Sequence, residues 1–290
     1  MGKLKKSTRQ GILYMVIASL GFATMAAFVK ILSYSLPPFE IVFYRSLFGS
    51  LIMAVVILRK RKSFIGENPK ILIWRGVFGF AALLMNFYSI SELNLGTAVM
   101  LNNTSPIFVA VLSSLLLKER ISFRLWILTL ACFAGVYLLT ADQLLIKPFP
   151  VMIGILSGAL AAAAFLTISV AEEAESSYTI IFYFTTISAI GSLPFLKFGY
   201  IVPVLSDWWI IGGIAVTSFF AQVYVTRSFR IAPPSVVSPF GYLMPVCSFG
   251  YGFLLWKDPL TPSMFLGALL IIISGVIIYL FEHKARPLTD

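Results

Sequence analysis

Apolar runs of about 20 residues follow one another through this 290-residue chain, from Gly11 to Phe281, with only short polar breaks between them. A helix rises about 1.5 Å per residue, so about 20 residues span the roughly 30 Å hydrocarbon core of a bilayer. Inside that core each backbone N–H and C=O must find its partner within the segment or within a closed barrel, which makes helix the form these runs take. A water-soluble core could absorb one such run, not a whole chain of them. The expected class is therefore an all-α integral membrane protein, with no room left for a soluble domain.

Read against the length needed to span, the sequence predicts ten transmembrane helices, beginning near Gly11, Phe39, Ile71, Gly96, Phe123, Val151, Thr179, Trp208, Ser235 and Pro262. Connectors such as Ser91 to Leu95 and Lys118 to Ser122 are short, as in a compact bundle of antiparallel neighbours. The stretch Arg59 to Lys70 is the one sizeable loop. The N-terminal basic residues Lys3, Lys5, Lys6 and Arg9 precede an apolar run too long for a signal-peptide core, so the first span is expected to stay uncleaved.

Charge then sets orientation. With the N-terminus inside, 16 of the 22 Lys and Arg residues fall on the inner segments and four (Lys30, Lys147, Lys197 and Lys257) on the outer ones. Positively charged loops stay cytoplasmic, so both termini are expected in the cytoplasm and the chain in the cell's inner membrane. The net charge of +10 is thereby a topology signal, spread between spans and not gathered on a nucleic-acid-binding face. One inner loop, with Glu172, Glu173 and Glu175, runs against the trend. Cys132 and Cys247 stand alone in apolar segments and suggest neither a disulfide nor a zinc site.

The chain also repeats itself. Ser89 to Ser122 matches Ser228 to Thr261 at a constant shift of 139: Ser89 with Ser228, Pro106 with Pro245, Lys118 with Lys257, Glu119 with Asp258 and Ser122 with Thr261. The segment at Gly11 resembles that at Gly154, and AGVYLL near Gly135 resembles SGVIIYL near Gly275. Each unit holds five spans, an odd number, so the second must enter the membrane from the opposite side. The expected organisation is two inverted five-helix repeats, residues 1–145 and 146–290, within one membrane domain.

Ten spans, two repeats, Pro106, Glu119 and Gly135 matched by Pro245, Asp258 and Gly275, and Arg45 in FYRSLFG together resemble the EamA-type members of the drug/metabolite transporter superfamily. That resemblance covers the whole chain. It implies a basket-shaped bundle in which spans three, four, eight and nine line a central cavity, one, two, six and seven surround it, and five and ten lie behind.

Polar residues inside spans are the functional candidates, because a charge at mid-membrane costs about 2.5–3.5 kcal/mol even on lenient scales. Asn102, Asn103, Thr104 and Ser105 stand in a row before Pro106, and Asn103 matches Tyr242, each three residues before its proline. Asn103 and Tyr242 are the leading candidates for substrate contact, with Asn102, Ser105, Ser238, Asn86, Tyr88, Tyr224 and Gln222 around them. Gln222 belongs to a Ser218, Gln222, Thr226 stripe along the eighth span. Interhelical hydrogen bonding is the competing role for each. Arg45 could grip a substrate carboxylate or phosphate, or bond carbonyls of a neighbouring helix. Since the resemblance covers it among proteins of varied substrates, a structural or gating role is favoured. Arg75 beside Trp74 is expected to snorkel to the inner boundary. Pro106 and Pro245 each remove a helix hydrogen bond and are candidate hinges.

No GxxxxGK[ST] phosphate cradle occurs, so a secondary transporter without cofactor is expected. Its cargo would be a small organic metabolite such as an amino acid or a nucleoside-like compound, S-adenosylmethionine among them. The partners expected are that solute and the lipid bilayer, with monomer and homodimer both open. The rival is an integral membrane enzyme acting on lipid-like substrates, whose chemistry would need clustered acids, histidines or metal ligands. The single histidine, His283, lies in the C-terminal tail.

Overall fold

The computed structural model describes residues 2–105, 146–170, 175–232 and 238–285, with scattered positions between 107 and 138. Among these, regular structure is helical: α1 (Gly2–Leu32), α2 (Pro38–Lys60), α3 (Pro69–Glu92), α4 (Leu95–Asn102), α5 (Pro148–Val170), α6 (Ser177–Ser192), α7 (Leu205–Ile231), α8 (Leu243–Tyr251) and α9 (Pro262–Ala285). Of the fifth predicted span only scattered positions are described, and the connector before it, with Lys118, Glu119 and Ser122, lies outside the described residues. So do Pro106, Cys132, Glu172 and Glu173.

Helix starts follow local chemistry. Proline opens α2 and α3, where its missing N–H costs nothing. Asn68 and Ser176 cap α3 and α6 by accepting from the N–H groups of Ile71 and Tyr178. Among the described residues six helices are long and apolar enough to cross a membrane, and two shorter apolar helices cover Phe240–Trp256 and Pro262–Ser274. Their exteriors carry exposed Leu, Ile, Phe and Trp, for example Leu51, Val55, Trp74, Phe149, Trp209 and Phe220, while Ser46, Arg45, Arg75, Asn86, Thr185 and Gln222 are buried. Polar inside and apolar outside is the arrangement a lipid solvent selects.

The helices pack in a paired pattern: α1 along α7, α3 along α5, α2 against α6, and α4 against α8. Two of these crossings carry the same bond. Ser89 Oγ donates to the Pro150 carbonyl at 3.0 Å, and Ser228 Oγ donates to the Gly11 carbonyl at 2.8 Å, both buried. Donor and acceptor of the second bond are each the first shifted by 139 residues. A second correspondence sits about two turns on. Ser19 Oγ donates to the Phe240 carbonyl at 3.2 Å, and the matching crossing brings Gly158 against the Leu101 carbonyl. A Cβ at Gly158 would lie 2.7 Å from Thr104 Oγ1, so the glycine lets α4 and α5 touch.

Loops are tied across the molecule by two buried carboxylates. Glu40, at the start of α2, accepts from the Ile201 N–H at 2.7 Å in the segment before α7. Glu175, just before α6, accepts from the N–H groups of Glu67 and Asn68 at 2.6 and 2.8 Å in the segment before α3. Sequence reading placed Glu175 among discordant loop charges; its burial and its two backbone donors give it a place in the fold.

The ninth predicted span is not one helix. A 3₁₀ turn over Ser238–Tyr242 leads into α8, and a π-turn over Gly252–Trp256 ends it at Lys257, whose φ is 55°. The break falls at Tyr242 (φ −67°, ψ −9°), three residues before Pro245, and α4 stops at the matching Asn103 (φ −75°, ψ 8°), three before Pro106. Proline cannot bond the carbonyl four residues back, and its ring crowds that carbonyl, so the regular ladder yields at this point in both places.

Candidate functional site

The candidate residues gather in two places. The first is the seam of α2, α3, α6 and α7. Arg45 is 3% and Arg75 4% exposed, and both guanidinium carbons lie over the Phe184 ring, at 5.5 and 4.6 Å from its centre. Arg75 therefore does not snorkel: it points into the bundle, where Gly79, one turn on, leaves the space its Nη1 fills. A Cβ at Gly79 would meet Arg75 Nη1 and come within 2.7 Å of the Phe184 ring.

Around Arg45 a crevice of about 10 Å³, room for one water-sized group, is bounded by Gly49, Thr185, Ser218 and Gln222 among others. Nε and Nη1 of Arg45 and Nε of Arg75 are buried with no hydrogen-bond partner. Neither of those two Arg45 nitrogens bonds a carbonyl of a neighbouring helix. Among the described residues the one ion pair, Lys147 with Glu92 at 3.1 Å, involves neither arginine. Cation–π contact with Phe184 offsets part of the burial, about 2 kcal/mol or more per contact when desolvated, against a penalty of several kcal/mol per buried ion.

The second place is the contact of α4 with α8 and α5. Asn103 Nδ2 donates to the Val99 carbonyl at 2.9 Å and lies 3.7 Å from Met244 Sδ on α8. Asn102 Nδ2 turns the other way and donates to Ser157 Oγ on α5 at 3.1 Å. Thr104 Oγ1 donates to the Leu101 carbonyl, and Ser105 is buried. Tyr242 is buried in the main apolar cluster, and Pro245 is buried within α8. Pro106 and the side chain of Ser238 lie outside the described residues.

The remaining candidates are dispersed. Asn86 is buried in α3 with its Oδ1 unpartnered. Tyr88 packs edge-on to Phe149, and Tyr224 packs on Tyr14 in a separate cluster with Met15 and Ala18. Neither tyrosine borders the crevice at Arg45. Of the polar stripe on α7, Ser218 and Gln222 do, while Thr226 is buried beyond with its hydroxyl unpartnered. Sequence reading missed Phe184 and misplaced Arg75. The available signal was Gly79, which puts a side-chain gap on the face that Arg75 occupies one turn earlier.

The two ends of the bundle differ. At one, an open basin of about 550 Å³ is rimmed by Arg61, Lys62, Arg227 and Arg230, with Arg227 donating to Tyr178 Oη at 2.6 Å. At the other, Lys30 Nζ donates to the carbonyls of Ser91 and Leu93, and Asp258 caps α4 by accepting from the Leu95 N–H at 3.2 Å. Burial pushes the Asp258 carboxyl above its ordinary value, with the Leu95 N–H and the Lys30 charge opposing the shift. Among the described residues no three His, Cys, Asp or Glu side chains come together as a metal-holding group.

Comparison with known proteins agrees over nearly the whole chain. The EamA-like transporter family matches twice, at residues 9–141 and 148–280. The pseudopaline exporter CntI of Pseudomonas aeruginosa is 30% identical over 276 residues, covering 92% of this chain and 95% of the relative. An uncharacterized transporter of Helicobacter pylori is 31% identical over 281 residues, 93% of this chain and 94% of that one. The S-adenosylmethionine uptake transporter of Rickettsia prowazekii is 22% identical over 291 residues, 98% and 97% of the two chains. A solved crystal structure superposes with a TM-score of 0.65 over 98% of this chain and 99% of that one at 15% identity, a likeness of fold.

Proposed function

This chain belongs to the EamA-like transporter family, and we propose that it is a secondary transporter moving a small organic metabolite, such as an amino acid or a nucleoside-like compound, across the cytoplasmic membrane. In this reading ten spans form two inverted five-helix repeats, residues 1–145 and 146–290, with both termini in the cytoplasm. Alternating access is the exchange between two near-equivalent packings of those repeats.

The observation that carries the reading is the paired helix break. Asn103 and Tyr242 interrupt α4 and the start of α8 at matching positions with nearly the same dihedrals, and α4 packs on α8. Non-helical backbone at membrane depth is tolerated where it is enclosed by protein or lines a cavity, and discontinuous helices are where transporters hold their cargo. The matched bonds Ser89 to Pro150 and Ser228 to Gly11 support the duplication. Pro106 and Pro245 then serve as hinges, and Asn103 and Tyr242 touch the solute, with Asn102 and Ser105 beside Asn103 in the chain and Asn86, Gln222 and Arg45 as contacts elsewhere in the bundle. Relatives named as an exporter and as an uptake transporter leave either direction compatible with the fold.

Counterflow in proteoliposomes tests this. Radiolabelled amino acids, nucleoside-like metabolites including S-adenosylmethionine, and organic acids are offered to wild type, Asn103→Ala and Tyr242→Ala. Saturable exchange of one class, reduced at least about tenfold by either substitution, is expected. Exchange of nothing on the panel would overturn the transporter reading.

A further inference from the structure

Arg45 and Arg75 present an imbalance that the rest of the fold does not resolve. Two guanidinium groups, both more than nine-tenths buried, share the Phe184 ring while Nε and Nη1 of one and Nε of the other face no acceptor. Ionisable side chains inside a membrane pair with each other, bond backbone carbonyls, or mark a substrate path. Here the two are of like sign, the orphan nitrogens rule out full pairing with carbonyls, and the one ion pair among the described residues lies elsewhere. Gly79 keeps the space for the Arg75 head open and Gly49 lets Thr185 approach beside Arg45, so the arrangement is built into the helix contacts.

We infer that Arg45 and Arg75 form an oxyanion seat for the carboxylate of the transported metabolite, which makes the cargo an organic anion or a zwitterion and excludes solutes without an anionic group. This rests on the transporter reading and names the substrate class for it. The guanidinium fork matches a planar carboxylate by two parallel N–H···O bonds. Phe184 lies against both cations, at 5.5 and 4.6 Å from the guanidinium carbons, and Nε and Nη1 of Arg45 and Nε of Arg75 keep their N–H groups without an acceptor. The crevice beside Arg45 has room for one water-sized group, enough for a single carboxylate oxygen to reach Arg45, and the Gln222 amide borders it as a further polar contact. One trapped water could satisfy an N–H but would leave both charges uncompensated; a carboxylate accepts from the N–H groups and neutralises one of the two charges.

The test is thermal unfolding of the purified full chain in detergent, followed by tryptophan fluorescence. Acetate, succinate, citrate and L-glutamate are titrated against acetamide, succinamide and L-glutamine, with chloride, sulfate and phosphate as further arms. At about a hundredfold excess over Kd the expected rise in midpoint is roughly 5 °C for at least one carboxylate and none for its amide. Arg45→Gln and Arg75→Gln should lose that rise while unfolding, without ligand, at or above the wild-type temperature, because each removes an uncompensated buried charge. A structural strut would show the opposite, a lowered midpoint. If a variant fails to fold, the carboxylate-against-amide comparison in wild type still decides.

No shift with any carboxylate, equal shifts with amides, equal shifts with the inorganic anions, or a shift retained by both arginine variants would each overturn the seat. Counterflow separates the two readings. Exchange of a solute without an anionic group that Arg75→Gln leaves unchanged sinks the seat and keeps the transporter. Selective carboxylate binding that needs both arginines, without exchange of that carboxylate, keeps the seat and sinks the transporter.

Discussion

Helices α3 and α7 correspond through the 139-residue shift, and they agree in one kind of contact while differing in another. Each uses a serine near its end, Ser89 or Ser228, to bond a carbonyl in the N-terminal half of the partner helix, α5 or α1. Yet Arg75 corresponds to Ile214, Asn86 to Val225, Gly79 to Ser218 and Leu83 to Gln222. What the duplication kept is the bond that sets helix against helix. What it lost is symmetry in polar chemistry, so the seam at Phe184 has cations from the first copy faced by Ser218 and Gln222 from the second. A scaffold that must pack alike in both halves tolerates repetition, whereas a site that binds one asymmetric solute does not require it.

The sharpest way to break the comparison is at its tightest unequal position. Gly79→Val inserts atoms where Arg75 and Phe184 already sit and should cost about 3 kcal/mol or prevent folding, while Ser218→Ala at the corresponding place should cost under about 1 kcal/mol. Unfolding midpoints in detergent read both. If Gly79→Val is as mild as Ser218→Ala, the close approach is not what the packing depends on.

Next come the two loop ties. Glu175 accepts two backbone N–H groups and Glu40 one, so Glu175→Ala should cost about 2–3 kcal/mol and Glu40→Ala roughly 1.5 kcal/mol. Limited proteolysis of the segments 63–68 and 199–204 adds a local readout, each expected to become cleavable in the matching variant. A reversed order would mean that bond count does not set the strength of these ties.

A smaller effect sharpens the symmetric part. Ser89→Ala and Ser228→Ala should each cost about 0.6–1 kcal/mol and agree with one another within about 0.5 kcal/mol, as measured by chemical unfolding. A clear inequality would set the two crossings apart energetically despite their shared bond.

Smallest is the pH response at Asp258. Its carboxyl is raised in the folded protein, so the folded state is relatively favoured when the group is protonated. That contribution is complete below the ordinary aspartate value of about 3.9 and is lost as pH rises through the higher folded value. Asp258→Asn should flatten the unfolding-temperature profile across that window. An unchanged profile would place its origin elsewhere.

How much of this was legible beforehand can be followed residue by residue. Periodic apolar length announced the spans, and the described helices begin within a few residues of the expected starts, as at Pro38, Pro69 and Pro262. The matched prolines announced a disturbance, and the helix breaks fall at Asn103 and Tyr242. Asn102 and Asn103 were read as one polar run. A helix turns about 100° per residue, so neighbours face different partners, and only the packing of α5 and α8 sends one to Ser157 and the other to Met244. Arg75 looked like a boundary residue because distance along the chain places it two turns into its helix. The gap at Gly79 and the Phe184 ring decided otherwise.

The sequence by itself determined that this chain lives in a bilayer, that it is helical, that it repeats, and which family it resembles, because lipid imposes length, apolarity and internal hydrogen bonding on every span separately. Tertiary structure alone decided which polar groups meet. Arg45 and Arg75 come from two spans and Phe184 from a third more than a hundred residues on, and their meeting depends on helix rotation and close approach, which no local pattern encodes.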